Sequence, residues 1–401
     1  MSEAFDAIRP FRDVEVPGVV ARLCNDPVLI RAVGRYKFPR LARVLPAAAN
    51  LLIQSVFHYH FHRVRTVDEV QLRMVHFMEN IVKRSIDELT VTGLDQVPKD
   101  RACLFVSNHR DIALDPALIN YALYHGGRET VEIAIGDNLL EHPVVADIMR
   151  LNRSFIVQRS VEGVKARLQA LTQLSRYIAA TLQSGRSVWI AQREGRAKDG
   201  LDYTDPAVIK MLTLFGRKAS LTFSQAITQL SIVPVSNAYE YDPCDRLKAR
   251  ELVMRQSGDY QKGVGEDLQS ILDGISGGKG RVNIHFGRPL SGDFEDADAV
   301  ATAIDQQIIG HYQVYPSNLV AFEQMDKLPE DWATLDESAL HRLQAGVQAV
   351  KTQELHANRT RFENEAERYI ARIHACPEDW RDQFLAMYAN PLINQVLRSS
   401  S

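Results

Sequence analysis

Cysteine is scarce in this 401-residue chain: Cys24, Cys103, Cys244 and Cys376 stand far apart, with no CxxC pair. Such spacing argues against a disulfide framework or a structural zinc site and fits a reducing cytoplasm. Long apolar runs are missing too. No stretch reaches the roughly 18–20 apolar residues that a membrane-spanning helix needs. The first residues, MSEAFDAIRPFRDVEVPG, carry acids and no apolar segment, so no secretory signal is expected there. Charge of one sign is not in excess either. The formal net charge is −3, which argues against a globally basic nucleic-acid binder. Repeats and low-complexity tracts are absent. The glycine-rich stretch Gly277-Gly278-Lys279-Gly280 has neither P-loop spacing nor a following helix, and reads as a turn before a strand. What remains is the composition of a globular protein, 45% hydrophobic and 24% charged. At roughly 100–200 residues per domain, the length suits two domains or one large domain with helical additions.

The patterning divides the chain in three. Residues 1–86 are expected to be helical from about 17 on, with Asn25-Asp26-Pro27 opening one helix and Pro27 in its tolerated first turn. Within this part Arg31, Arg35, Lys37, Arg40 and Arg43 cluster beside Leu41, Leu45, Leu51, Leu52, Val56, Phe57 and Tyr59. A basic cluster next to an apolar, aromatic helix suits an anionic membrane surface. An ordinary helical hairpin packed on the core is the plainer reading. From 87 to 292, short apolar runs alternate with helical segments. Strands are predicted at 89–92, 102–106, 131–135, 154–157, 187–191, 232–236 and 281–286, and helices at 116–125, 161–184, 206–216 and 262–275. The expected fold is α/β, a mixed sheet flanked by helices, with helical additions at both ends. Residues 293–401 read as helical over 295–314 and much of 335–398. They carry no motif; Trp380, Arg381 and Asp382 suit a partly solvated helix face.

The chemistry concentrates after the predicted strands. SNHRDIALDPALIN, residues 107–120, places His109 at a strand-to-helix turn, where α/β folds usually carry reactive groups. Imidazoles ordinarily titrate near ~6.5 and serve as general bases near neutral pH. A carboxylate on the other ring nitrogen would fix the tautomer. Asp111 and Asp115 are both available, and either could instead cap the helix. No serine or cysteine stands in a nucleophile-elbow context, so the base would have to activate a hydroxyl of the substrate. Three later clusters also sit at strand edges: GDNLLEHPVVADIMRLNRSFIVQRS with Arg153 and Arg159, GRSVWIAQREGRAKDG with Arg193, Glu194, Gly195, Arg196 and Lys198, and IVPVSNAYEYD with Pro234. Arginines around a base suit a phosphorylated substrate with a free hydroxyl. Each cluster alone reads as a solvated loop.

In order and spacing these four segments resemble the blocks of the glycerolipid acyltransferase superfamily, whose members make lysophosphatidic and phosphatidic acid. Asn108-His109 with Asp115-Pro116 resembles NHxSxxDP. GDNLL…FIVQR resembles the second block in its glycerol-3-phosphate acyltransferase form, with Arg159 on the phosphate-contacting arginine. Glu194-Gly195 matches the centre of FPEGTR, and VPVSNAYE resembles VPVSxxYE with Pro234 at its proline. The resemblance spans about residues 85–292. Two departures stand out. Five residues separate His109 from Asp115 where the family has four, and Asp111 occupies the family's serine position. After Glu194-Gly195, Thr-Arg is replaced by Arg196-Ala197, with Lys198 next.

The resemblance implies an O-acyltransferase. His109 would deprotonate the acceptor hydroxyl, with Asp115 orienting it and Asp111 as the alternative partner. Arg159, Arg193, Arg196 and Lys198 would hold phosphate, with Glu194, Gly195 and Pro234 also at the substrate site. Backbone N–H groups near the second or third block would stabilise the oxyanion. The acceptor is expected to be 1-acylglycerol 3-phosphate, with glycerol 3-phosphate as the alternative. Acyl-CoA or acyl carrier protein would be the donor, with no metal or prosthetic group. The cytoplasmic face of a membrane, held peripherally by the N-terminal helices, would be the location. A non-catalytic lipid-binding relative and a thioesterase remain as competing readings.

Overall fold

The structure, a computed structural model, describes residues 3–140, 143–263 and 265–399. Seven strands form one sheet: β1 (Glu88–Thr92), β2 (Leu104–Ser107), β3 (Glu132–Gly136), β4 (Ser154–Val157), β5 (Val188–Ala191), β6 (Ile232–Tyr239) and β7 (Arg281–Phe286). Their spatial order is β1-β7-β6-β2-β5-β3-β4. Strands β2 to β6 run parallel to one another, while β7 is antiparallel to β6 and parallel to β1. The sheet is therefore mixed and flanked by helices, as the alternating pattern implied. All four residues of the central β2 are buried, which is why it reads as a continuous apolar run rather than an alternation.

Alternate residues of the central strands feed two separate cores. Leu104, Val106, Val188, Ile190 and Ile232 pack with Leu174, Tyr177 and Ile178 of helix Val164–Gln183 and with Ile209 and Leu212. Phe105, Trp189, Val233 and Val235 pack on the other face with Leu114, Leu118 and Ile119 of helix Leu114–His125. Each large side chain so buried contributes about 1.5–3 kcal/mol. Because β2 to β6 are parallel, the segments that follow β2, β3, β4 and β5 all emerge at one edge of the sheet. That edge is where α/β sheets hold ligands.

Five parts of the structure depart from the sequence expectation. β6 runs on to Tyr239 where an end at Ser236 was expected, because Asn237 is satisfied across the sheet by Asn108. Helix Asp245–Gln256 was not anticipated. Its buried face includes Asp245, Lys248 and Glu251, held by ion pairs, so the apolar periodicity that announces a helix is missing. Helices Pro143–Leu151 and Phe223–Leu230 are likewise additional. The long C-terminal stretch breaks into Glu337–His374 and Arg381–Ser399, and Asn358 interrupts the first with φ −164° and ψ 92°.

The N-terminal helices include Val16–Asn25, Pro27–Lys37, Pro39–Val44, Pro46–Phe61 and Val67–Ser85. Asp26 caps the second by accepting from the N–H groups of Val28 and Leu29 at 2.8 Å, with Pro27 at its first position. Val16, Val20, Val64 and Val70 pack together against Leu151. Phe38, Val44, Leu45, Leu51, Leu52 and Tyr59 remain exposed. Among the described residues no helix is long and apolar enough to cross a membrane. The C-terminal helices enclose a core of their own that takes in Tyr241 and Ala249, and so rest on helix Asp245–Gln256.

Candidate active site

The chain leaves β2 at Ser107 and turns through residues 108–113 before the helix opens at Leu114. The two aspartates divide the work of this turn. Asp111 Oδ1 accepts from the N–H groups of Ala113 and Leu114, at 2.9 and 2.8 Å, and closes it. Asp115 lies in the first helical turn, where an anion is favoured by the helix dipole. Its Oδ2 meets His109 Nδ1 at 2.8 Å and accepts from the N–H groups of Arg110 at 2.6 Å and Asp111 at 2.9 Å. Its Oδ1 accepts from the Tyr239 hydroxyl at 2.7 Å. The extra residue relative to the family spacing is thus absorbed in the turn that Asp111 caps, and Asp115 is the carboxylate on His109.

Burial, then the charges of Asp115 and Asp111, hold the Tyr239 hydroxyl well above its ordinary pKa, so it stays a donor. Burial and the neighbouring Asp115 also push the Asp111 carboxyl up. Helix Glu266–Ser276 closes over Asp111 at Gly274, where an added Cβ would come within 2.2 Å of Asp111 Oδ2.

His109 lies edge-on to Trp189, 5.7 Å between ring centroids, and borders a cleft of about 630 Å³. With Nδ1 engaged by Asp115, Nε2 is the ring nitrogen left for a substrate. The apolar side chains lining the cleft include Ile133, Ile135, Val157, Leu171, Val208 and Met211. Its charged lining is Arg159, Arg167, Arg193, Arg196, Lys198, Arg255 and Lys262 together with Asp137, Glu194, Asp205, Glu251, Glu266 and Asp267. Of the residues the sequence singled out, His109, Arg159, Arg193, Glu194, Gly195, Arg196 and Lys198 share this cleft. Asp115 stands directly behind His109. Asp111 and Pro234 do not line it. Pro234 is buried in β6 opposite Val106, and its carbonyl accepts from Gly287 N–H at 2.8 Å. Glu141 and His142 of the second block lie outside the described residues.

Local chemistry explains how these side chains are placed. Asp137 Oδ2 accepts from the N–H groups of Arg159 and Ser160, both at 3.1 Å, which folds the chain after β4 back onto the end of β3. The Arg159 guanidinium passes over Gly136, where an added Cβ would come within 3.0 Å of Cζ. The loop carrying Glu194 and Gly195 docks on the first block, Ala197 N–H donating to the His109 carbonyl at 2.7 Å. Gly195 takes φ +76°, the left-handed region that favours glycine.

Several cations are already paired: Lys198 and Arg255 with Glu251, and Lys262 with Asp267 at 2.6 Å. Burial lowers the Lys198 pKa against the pull of Glu251. Arg159, Arg193 and Arg196 have looser partners, Glu194 at 3.6 Å, Asp199 at 3.9 Å and Ser270 Oγ at 3.5 Å. Of the cleft cations that have partners, those three are held most loosely.

Sequence reasoning missed the frame behind these groups. Asn108 bridges β2 to β6, accepting from Asn237 N–H at 2.8 Å and donating to its carbonyl at 2.9 Å. Arg110 is buried against Asp202, and the buried Lys248 donates to the Arg110 carbonyl at 2.6 Å while pairing with Asp242. The last helix supports the Glu194 loop: Asn390 Nδ2 donates to the Asp199 carbonyl at 2.7 Å. Gly200, φ +80°, lies so close to the Met387 carbonyl that a Cβ would approach it to 2.3 Å. Only the run of polar residues in an otherwise apolar C-terminal helix, Asn390, Asn394 and Gln395, could have hinted at this.

Residues 88–237 match the family model described as Acyltransferase. The chain is 28% identical over 253 residues to "Glycerol-3-phosphate acyltransferase" of Pasteurella multocida, covering 61% of this chain and 28% of that protein. It is 30% identical over 188 residues to the protein of the same name from Actinobacillus succinogenes, covering 47% of this chain and 21% of that one. The chain thus spans under a third of the length of these relatives. A solved 1-acyl-sn-glycerophosphate acyltransferase from Thermotoga maritima aligns over 70% of this chain and 91% of that one. Its identity is 17% and its TM-score 0.36, which by itself establishes no shared arrangement.

Proposed function

We propose, for a chain whose residues 88–237 form a domain of the glycerolipid acyltransferase superfamily, an O-acyl transfer onto a phosphorylated glycerol. The observation that carries this reading is His109, backed by buried Asp115, in a cleft lined by both arginines and apolar side chains. His109 Nε2 accepts the proton of the acceptor hydroxyl as its oxygen attacks the thioester carbon of acyl-CoA or acyl carrier protein. Asp115 holds Nδ1–H and stabilises the imidazolium that forms. The carbon–sulfur bond then breaks, and the imidazolium proton goes to the departing thiolate. Arg159, Arg193 and Arg196 take the acceptor phosphate, and the apolar part of the lining takes the acyl chain. The reaction so written calls on no metal or prosthetic group.

The relatives' names favour glycerol 3-phosphate as acceptor. The sequence alone placed its 1-acyl derivative first, and the apolar lining of the cleft keeps that as the second reading. The exposed Phe38, Leu45, Leu51 and Leu52, beside exposed Arg31, Arg35, Arg40 and Arg43, suit peripheral contact with an anionic membrane on the cytoplasmic side. The test assays both acceptors with both donors. Lysophosphatidate from glycerol 3-phosphate is the expected product, and phosphatidate alone would reverse the order of acceptors. Unchanged acyl transfer by His109→Ala would sink the catalytic reading. Release of free fatty acid without acylated product would leave a thioesterase, and no turnover at all with retained lipid binding would leave a scaffold.

A further inference from the structure

The cleft occupies the carboxyl edge of the parallel strands. At their amino edge lies a second cavity, about 260 Å³, that no step of the proposed reaction uses. Four arginines border it: Arg9, already paired with Asp6 and Glu15, and Arg12 from the N-terminal segment, Arg153 just before β4 and Arg186 just before β5. Arg153 is the most constrained of them. It is 6% exposed and takes φ 57°, a left-handed conformation that long side chains seldom adopt. Nη1 donates to the carbonyl and hydroxyl oxygens of Thr130, at 3.1 and 2.9 Å, and Nη2 pairs with Asp68. Its Nε is buried without an acceptor. Burial and the like charge of Arg186 together lower its pKa. Strain, an orphaned donor and facing positive charges together mark a place prepared for an anion.

Asp13, which also borders the cavity, is held by Val67 N–H at 2.8 Å, but the carboxylates that face Arg153, Arg186 and Arg12 can yield. Asp68 reaches Arg153 from a side chain that is 80% exposed, so it swings into water at little cost. Glu132 is buried, accepts from the Tyr177 hydroxyl at 2.5 Å and is held above the usual carboxyl range by burial. Its contact with Arg186 is long, 3.7 Å. Arg12 pairs with Asp6 at 2.8 Å, both side chains about half exposed.

We propose that this cavity binds a phosphate-class anion seated on Arg153 and Arg186, with Arg12 closing over it and the Asp68 carboxylate displaced. Guanidinium forks match phosphate oxygens in pairs, and the Thr130 contacts hold one fork rigid in advance. Two sources share this chemistry: a free phosphate or phosphomonoester, and the headgroup of an anionic lipid.

The test is calorimetric titration of inorganic phosphate into the full chain and its variants. All are built on Arg159→Gln, which weakens phosphate binding in the catalytic cleft. In that background Arg186→Gln is expected to weaken the remaining binding by ~10-fold or more, since it removes a charge-assisted pair. Asp68→Ala is expected to strengthen it, because the competing carboxylate is gone. Arg186 is half-exposed with one long contact, so its variant keeps the wild-type melting temperature. No phosphate binding in the Arg159→Gln background, binding indifferent to Arg186→Gln, or weaker binding in Asp68→Ala each overturns the proposal. Co-sedimentation with phosphatidylcholine vesicles containing phosphatidate separates the sources. Loss in Arg186→Gln assigns a lipid headgroup; unchanged co-sedimentation beside weakened phosphate binding assigns a free phosphate.

Discussion

Strand β4 is four residues long, and an arginine stands near each end. Arg159, past its carboxyl end, reaches over Gly136 into the cleft beside His109, with a loose partner at 3.6 Å. Arg153, before its amino end, is buried, strained and tied to Thr130. The same residue type serves a movable contact on one edge and a fixed one on the other. The difference comes from the surroundings of the two strand ends. At the carboxyl edge successive loops fan outward and leave long side chains room. At the amino edge the incoming chain is pressed against helix Val67–Ser85 and the N-terminal segment, with Val67 N–H held by Asp13 at 2.8 Å.

That contrast can be broken or sharpened by substitution. Asp115→Asn should have the largest effect, lowering kcat by ~10³–10⁴, because the amide leaves His109 in the wrong tautomer. Steady-state kinetics with near-native melting checks it. Arg159→Gln should raise KM for the phosphorylated acceptor by ~10–100-fold with a smaller change in kcat, as expected for one lost charged hydrogen-bonding partner. Gly136→Ala should displace the side chains of both Asn138 and Arg159. Its Cβ would come within 2.4 Å of Asn138 Oδ1 and 3.0 Å of the guanidinium. A rise in the same KM of about one third to one half of the Arg159→Gln effect on a logarithmic scale is expected, since flexible side chains can give way. Tyr239→Phe removes the only side-chain donor found on Asp115 Oδ1 among the described residues. It should cost ~1–3 kcal/mol of stability in denaturant unfolding, the penalty of a buried acceptor left unpaired. The smallest effect belongs to the amino edge: Arg186→Gln should change acceptor KM by less than ~2-fold, because surface substitutions away from the reacting groups are nearly neutral. A large KM effect there would mean that the two edges are coupled.

Much of this was legible from the chain alone, for physical reasons. The central strands β2 and β6 are fully buried and β3 and β5 nearly so, and they announce themselves as apolar runs. The turn after β2 could be read because Pro116 fixes where a helix can begin, and that favoured Asp115 over Asp111. The arginines of the second and third blocks fell together because parallel strands deliver their following loops to one edge. The features that could not be read depend on side chains satisfied far away in sequence. Helix Asp245–Gln256 hides because its buried face is charged, and Lys248 is tolerable there only with Asp242 and the Arg110 carbonyl in place. Tyr239 is one letter in a motif until the sheet brings it to Asp115. Arg153 and Arg159 look alike on paper, and only the strand between them sends them to opposite edges. The proline of the fourth block looked like a substrate contact and stands instead inside β6.

The hydrogen bond from Asn390 to the Asp199 carbonyl joins residues 191 positions apart. The loop bearing Glu194 and Gly195 therefore has no roof until the chain has been synthesised past Asn390 and helix Arg381–Ser399 has docked. Contacts of such long range form late, since the intervening chain must first be brought to order. A nascent chain that already displays a complete sheet and the His109–Asp115 pair would still present an unfinished loop beside them. The last helix sets the time at which the cleft assembles, as well as the place of one of its walls.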